Sequence, residues 1–348
     1  MEDIIRGKLG NMHSIGIGVD YLSKRYYGVE VSTQHPAVIE YDNVFYIPHF
    51  DCLYDSGGNI IIESCCDYTE KGDILFKWSK PPTQVDISKY SFYKLDEHVI
   101  FGSSIYAEWG HFLTDDISRL WYYFTSGRDR KIFFSASSGL EKKWVLELLR
   151  LSGINQDHIL KSKVPININS VTIPIPSFQF TTKIYKCHNI FFFNVVKYLR
   201  DCGNIQDTKD NYYLSRSRLP STKRKVINEG EVEAFLVRHG YKVMFPEQLT
   251  VAQQIEIFNT TGNVLLCEGS AVHTSLFSYS DMKLGVLGPK PSNWRFYMID
   301  KIKDYNSFYF KTNKKDNISS EKVNTSTQDQ VVNMKLLQPF LREAGFID

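Results

Sequence analysis

"YKVMFPEQLTVAQQIEIFNTTGNVLLCEGSAVHTSLFSYSDMKLGVLG", residues 241–288, alternates two patterns at short intervals. YKVMF, NVLLC and KLGVLG are apolar runs of strand length. Between the first two, LTVAQQIEIFNTTG places Ile255 and Phe258 on one helix face, with Thr250 to cap, Gln253 at the capping-box position and Gly262 as a stop. GSAVHTSLFSYS opens a second helix on Gly269. Just upstream, NYYLSRS (211–217) is a strand running into a basic loop, and INEGEVEAFLVRHG is a helix. There Asn228 stands as cap, Glu231 closes the box, Val232, Phe235 and Leu236 form the buried stripe, and Gly240 ends the run. Strand and helix in strict alternation predict a parallel sheet covered on both faces, a Rossmann-like domain.

Working outward, the middle of the chain repeats the alternation less cleanly: KIFFSA (131–136) is a strand, GLEKKWVLELLRLSG an amphipathic helix and NIFFFNVVKYLRDCG another helix. Residues 1–90 differ, since AVIEYDNVFYIPHF, NIIIESCC and DILFKW read as strands and hairpins broken by Gly, Pro and Asp. After Phe310 the chain turns polar, and an amphipathic helix, VVNMKLLQPFLREAG, closes it with Pro339 inside. The expected organisation is therefore an N-terminal domain over 1–205 (β-rich to 90, α/β from 91), a Rossmann-like domain over 206–312, and a polar linker with a C-terminal helix over 313–348.

Composition narrows the function. With 348 residues, 43% hydrophobic and 23% charged, the chain can build two ordinary cores. A formal charge of +2 gives no electrostatic support to nucleic-acid binding. The first residues lack the basic-then-apolar pattern of a signal peptide, and no run is long enough to span a membrane. Six cysteines without C-x-x-C spacing are expected to be reduced thiols of a cytoplasmic protein. GIGVDY at 16–21 lacks the third glycine and the preceding strand of a dinucleotide fingerprint, which disfavours an oxidoreductase.

Open α/β sheets bind ligands beyond the carboxyl ends of their strands. That rule singles out Ser215-Arg216 and Glu268-Gly269-Ser270. An arginine there suits a bidentate grip on a diphosphate, with Arg218 close by. The N–H groups opening the helix after Gly269 and Ser270 form an anion site; Glu268 is placed for ribose hydroxyls, and His273 follows one turn in. In GHFLTDDISRLWYYF (110–124), Phe112, Leu113, Ile117, Leu120, Trp121 and Phe124 recur at helical spacing. On a helix, His111, Asp115 and Arg119 then form one polar stripe over two turns. By periodicity alone, the plainest reading is a surface pair of Asp115 and Arg119 with His111 in the first turn. The alternative is a histidine and a carboxylate facing a cleft, one of them taking a proton from a hydroxyl. Adjacent Asp115-Asp116 is not Asp-x-Asp, so no divalent metal site is indicated.

Three segments, GHFLTDDISRL, YYLSRSR with KRKVINEGEVEAFLVRHGYKVMFPEQLTVAQQIEIF, and LLCEGSAVHTSLF, together resemble glycosyltransferase family 61 over about residues 100–290, plus the terminal helix. That family includes bacterial capsule and lipopolysaccharide enzymes, plant xylan glycosyltransferases and animal O-linked GlcNAc transferases. The resemblance implies a GT-B fold of two facing Rossmann-like domains and inverting, metal-independent transfer from a nucleotide sugar. His111, Asp115 and Arg119 match the first motif, Arg216 the arginine after YLS, and Asn228 and Glu229 an Asn-Glu pair. Glu247, Gln254, Glu268-Gly269-Ser270 and His273 match later motif positions. Glu108, Ser118 and Thr274 depart from the family's usual Asn, Pro and Asn, which bears on substrate detail.

With the resemblance added, His111 and Asp115 are expected to be catalytic, and Arg216, Arg218, Glu247, Glu268, Gly269, Ser270 and His273 to bind the nucleotide sugar. Glu108, Trp109, Arg119 and Trp121 are expected on the acceptor side, where the indoles can stack on a sugar ring. The expected partners are a UDP-sugar donor and a glycan acceptor, with no cofactor, metal or nucleic acid. Surface polysaccharide synthesis at the inner face of the membrane is the expected setting, and peripheral association with the membrane or the synthesis machinery is compatible with it. The alternative is a non-catalytic nucleotide-binding partner protein of the same fold.

Overall fold

The computed structural model describes residues 4–6, 12–15, 29–65, 81–135, 138–179, 182–220, 223, 225–288, 293–304, 307–311 and 329–348. DILFKW, GIGVDY and most of the polar linker lie outside these residues. The chain divides into two compact units, Val29–Tyr198, and Leu199–Asp348 together with Met1–Gly28. The division falls a few residues before the expected boundary at 205, and the first 28 residues join the C-terminal unit.

In the first unit a seven-stranded mixed sheet runs in the order Ile60–Ile61, Leu53–Tyr54, Val38–Tyr46, Ile166–Pro174, Tyr93–Ser103, Lys131–Phe134, Ile159–Lys161. Tyr93–Ser103, Lys131–Phe134 and Ile159–Lys161 are parallel neighbours, and Ile166–Pro174 pairs parallel to Tyr93–Ser103 on its other side. Val38–Tyr46 is antiparallel to Ile166–Pro174, which makes this edge a hairpin sheet as its turn-rich sequence suggests. The amphipathic stretch near 145 folds as the helix Lys143–Leu151, burying Val145, Leu148, Leu149 and Leu151. Phe101, Phe133, Val171 and Ile173 fill the core of the sheet.

The C-terminal unit carries the parallel sheet expected from residues 211–288. Tyr241–Met244, Asn211–Leu214, Asn263–Cys267 and Lys283–Gly288 are neighbours in that order, all parallel. Ser307–Lys311 and Met12–Ile15 extend the sheet in parallel, and Ile4–Arg6 closes it antiparallel. Thr250 and Gln253 form the expected capping box on the helix Val251–Ile257. Gly240 ends the preceding helix in the left-handed region at φ 80°. Gly262 serves a different end than a helix stop: a Cβ there would lie 2.2 Å from the Asp210 carbonyl oxygen.

Asn228 does not make the expected side-chain cap. Its amide bonds both the N–H and the C=O of Val332, at 2.9 and 2.8 Å, and so ties the C-terminal segment to the start of the helix Glu229–Arg238. The C-terminal helix Met334–Glu343 tolerates Pro339 inside it and buries Leu337 and Leu341 against Val232, Leu236 and Leu265. Cys52, Cys65, Cys187, Cys202 and Cys267 are free thiols, and Cys66 lies outside the described residues. No helix among the described residues is long and apolar enough to cross a membrane.

Candidate active site

The expected single helix over 110–124 is broken into three pieces. Trp109–His111 is one turn of α-helix, Phe112–Asp116 is a π-helical turn, and Trp121–Thr125 resumes the α-helix. The Ile117 N–H bonds the Phe112 carbonyl at 3.2 Å, one residue further back than an α-helix would. Such π turns insert one residue into the ladder and concentrate at functional sites. The segment before it is bent too: Ser103 and Ala107 sit at φ 71° and 55°, an unfavourable region for residues with a Cβ. That bend aims the N–H groups of Tyr106 and Ala107 at Asp116 Oδ2, at 2.8 and 3.1 Å. Asp116 is therefore a buried anchor for the loop.

His111 and Asp115 meet. Nδ1 of His111 lies 2.7 Å from Oδ2 of Asp115, with the side chains 27% and 14% exposed. A carboxylate only accepts, so Nδ1–H donates, and in the neutral imidazole the ring's lone pair falls on Nε2. The pair can thus hold a histidine base in one tautomer.

Arg119 leaves the stripe, which corrects the expectation of three polar groups on one face. The change of pitch turns it inward to 1% exposure, where it donates to the carbonyls of Pro174 and Cys65, the latter at 2.7 Å. It holds the segment from below and presents almost no surface to an acceptor. Trp121 is likewise 4% exposed, and its indole N–H donates to the Ile175 carbonyl at 3.0 Å. Trp109 is half-buried beside Trp144, with ring centroids 5.3 Å apart, while Glu108 is exposed.

The π turn needs outside support, because the Ile117 N–H no longer goes to the Leu113 carbonyl. His188 supplies it: its Nε2 lies 3.1 Å from the Leu113 oxygen, and its Nδ1 lies 2.9 Å from Ser177 Oγ. Ser177 N–H in turn bonds the Ser118 carbonyl at 2.7 Å. The ring sits in the core against Phe178 and Phe192. Burial pushes its pKa down to about 4, so the neutral ring donates from Nε2. His188 lies 75 positions from Leu113 in sequence, and no local pattern announces it.

In the C-terminal unit the strand order reverses at Asn211–Leu214, with the next strand in sequence on one side and the one after it on the other. The ends of Asn211–Leu214 and Asn263–Cys267 therefore flank a topological switch point, the usual ligand crevice of such sheets. Arg216 and Gly269 meet there: a Cβ on Gly269 would lie 2.8 Å from Arg216 Nη1, so the absent side chain lets the guanidinium lie close on that backbone. Glu268 is half-buried over Gly288, where a Cβ would lie 2.9 Å from its Oε2.

Ser270 is exposed and begins the expected helix after Gly269, which is a 3₁₀-helix over Ser270–Phe277. His273 is 5% exposed, with Nδ1 3.0 Å from the Ser270 carbonyl, and so braces that first turn. Arg218 is exposed; it bonds Gln248 at 3.0 Å and stacks 3.7 Å over Phe245, which puts it beside Glu247 on the turn Pro246–Gln248. Gln254 secures the same turn through the Pro246 carbonyl at 3.0 Å. Among the described residues, no three His, Cys, Asp or Glu side chains gather into a metal-holding group.

The profile of the family described as Glycosyltransferase 61 matches residues 109–285, half of the chain, from the His111 segment through the switch point. The chain belongs to that family and is a glycosyltransferase by it. No curated protein matches the chain.

Proposed function

We propose that the chain is an inverting, metal-independent transferase, moving a sugar from a UDP-sugar to a hydroxyl of a glycan acceptor in capsule, lipopolysaccharide or other surface polysaccharide synthesis. The proposal includes the GT-B division of labour, with the donor on the C-terminal unit and the acceptor chemistry on the first. The observation that carries it is the His111–Asp115 pair, partly exposed and held at 2.7 Å on a π turn. A partner protein without turnover gives no reason for such a pair.

In the proposed step a lone pair of the acceptor oxygen attacks the anomeric carbon as the carbon–oxygen bond to the diphosphate breaks. The leaving diphosphate takes the bonding electrons, and the acceptor proton passes to His111 Nε2. Asp115 fixes the tautomer and stabilises the imidazolium that forms. Arg216 and the N–H groups following Gly269 take up the charge of the diphosphate, the part a divalent ion plays elsewhere.

The test is a screen of nucleotide sugars for turnover, with the product's anomeric configuration read from NMR coupling constants. Transfer with inverted configuration is expected. Retention, or hydrolysis and transfer from none of the donors, refutes the reading.

A further inference from the structure

We infer that Glu229 is a positioning residue of the donor site, holding the turn from which Arg216 reaches the switch point. The inference rests on the proposed phosphate-binding role of Arg216. Glu229 is the first residue of the helix Glu229–Arg238, a place where a side chain ordinarily faces solvent, yet it is 2% exposed. Burying a carboxylate is costly unless several donors meet it. Here Oε1 accepts from the Tyr213 hydroxyl at 3.0 Å and from the backbone N–H of Arg216 at 2.6 Å, with the positive end of its own helix beside it. Burial still holds its pKa above the usual carboxylate range.

One turn further along the same helix, Glu233 accepts from Ser215 Oγ at 2.6 Å, and that oxygen also receives the Ser217 N–H at 3.0 Å. Ser215 N–H continues the sheet ladder to the Met244 carbonyl at 2.8 Å. Two carboxylates on one helix face thus fasten three consecutive residues of the turn, Glu229 gripping the middle one. The direction in which the Arg216 side chain leaves the backbone follows from that grip, and Gly269 lies under the guanidinium it directs. Glu229 touches no donor atom in this scheme. It acts through Arg216.

The test is a double-mutant cycle on the full chain, with UDP as probe, GDP and CDP in parallel, and Kd read by calorimetry. Glu229→Ala should weaken binding by about tenfold or more, as expected on losing a hydrogen bond to a charged group. Glu229→Gln keeps an acceptor oxygen for both donors and should restore most of the affinity. Glu229→Asp keeps the charge but withdraws it by one methylene, and covers the case in which the alanine variant does not fold. The double variant with Arg216→Ala should bind no more weakly than Arg216→Ala alone, because the two changes remove one function. In turnover, the loss should fall on KM for the donor more than on kcat.

Additive losses, or wild-type affinity in both Glu229→Ala and Glu229→Asp, overturn this inference while leaving Arg216 as a phosphate ligand. Wild-type affinity in Arg216→Ala, or no binding of any of the three nucleotides, overturns the proposed donor site and this inference with it.

Discussion

Replacing His188 by glutamine tests whether the turn carrying His111 and Asp115 is held as the structure shows. Glutamine can present a neutral N–H near the position of Nε2, so the bond to the Leu113 carbonyl is approximated while the titration disappears. His188 is fully buried and its pKa is pushed down to about 4, against an ordinary histidine value of 6.5. Below pH 6.5 the unfolded chain binds a proton there that the folded chain refuses, so wild-type stability falls with pH between about 6.5 and 4. Integrated from pH 7 to pH 5, those two pKa values amount to roughly 2 kcal/mol of lost stability.

At pH 7 the variant should be less stable by about 1–2 kcal/mol, from poorer packing against Phe178 and Phe192 and a less ideal hydrogen bond. At pH 5 that deficit should vanish or reverse. Urea unfolding followed by tryptophan fluorescence reads this directly, since among the described residues Trp109, Trp121 and Trp144 belong to the unit containing His188 and Trp294 to the other. Background titration of other groups cancels in the comparison of variant with wild type. A difference between the two proteins that stays the same at both pH values would show that His188 is not a buried neutral bridge, and the support argued for the π turn would fall with it.

Asp115→Asn, or His111→Ala, should cut turnover by about a hundredfold or more with UDP affinity little changed, and near-normal rates in both would refute a catalytic pair. Turnover should persist in excess EDTA; complete loss restored by manganese or magnesium counts against the proposed role of Arg216 and the Gly269 turn. Arg119→Met should destabilise the first unit by about 2–5 kcal/mol, because two buried carbonyls lose their donor; a shift under about 1 kcal/mol in urea would contradict its anchoring role. Burial raises the Asp300 pKa to about 7, with Ser307 and Tyr309 donating to its two oxygens. The stability of that protonated acid is fully present below the ordinary value of 3.8 and is lost progressively as pH rises from there through about 7, so Asp300→Asn should flatten the wild-type decline in Tm between about pH 4 and 7. An unchanged slope would place the carboxyl in water.

Much of the C-terminal sheet was legible because its information is local. Apolar runs of strand length, the Thr250–Gln253 box and the left-handed Gly240 are settled by residues within a few positions of one another, and the alternation of strand and helix implies the parallel pairing seen, though not the spatial order of the strands. That Arg216 and Gly269 each follow the carboxyl end of a strand is legible from the same alternation; that those two strands are neighbours at the reversal is decided by the strand order of the folded sheet. The pairing of His111 with Asp115 was within reach for the same reason, four residues apart on one turn.

Periodicity misled where long-range partners outweighed helical propensity. Arg119 reads as surface charge until the carbonyls of Cys65 and Pro174, each more than fifty positions away, give it a buried place. The π turn exists because His188 and Ser177, brought in from another part of the chain, satisfy the backbone groups that an α-helix would have satisfied itself. Asn228 looks like a cap, but the returning C-terminal segment offers it two bonds in place of one. A sequence displays which groups need partners; in a folded chain the partner that wins is the one brought close without water, and only the tertiary structure decides which that is.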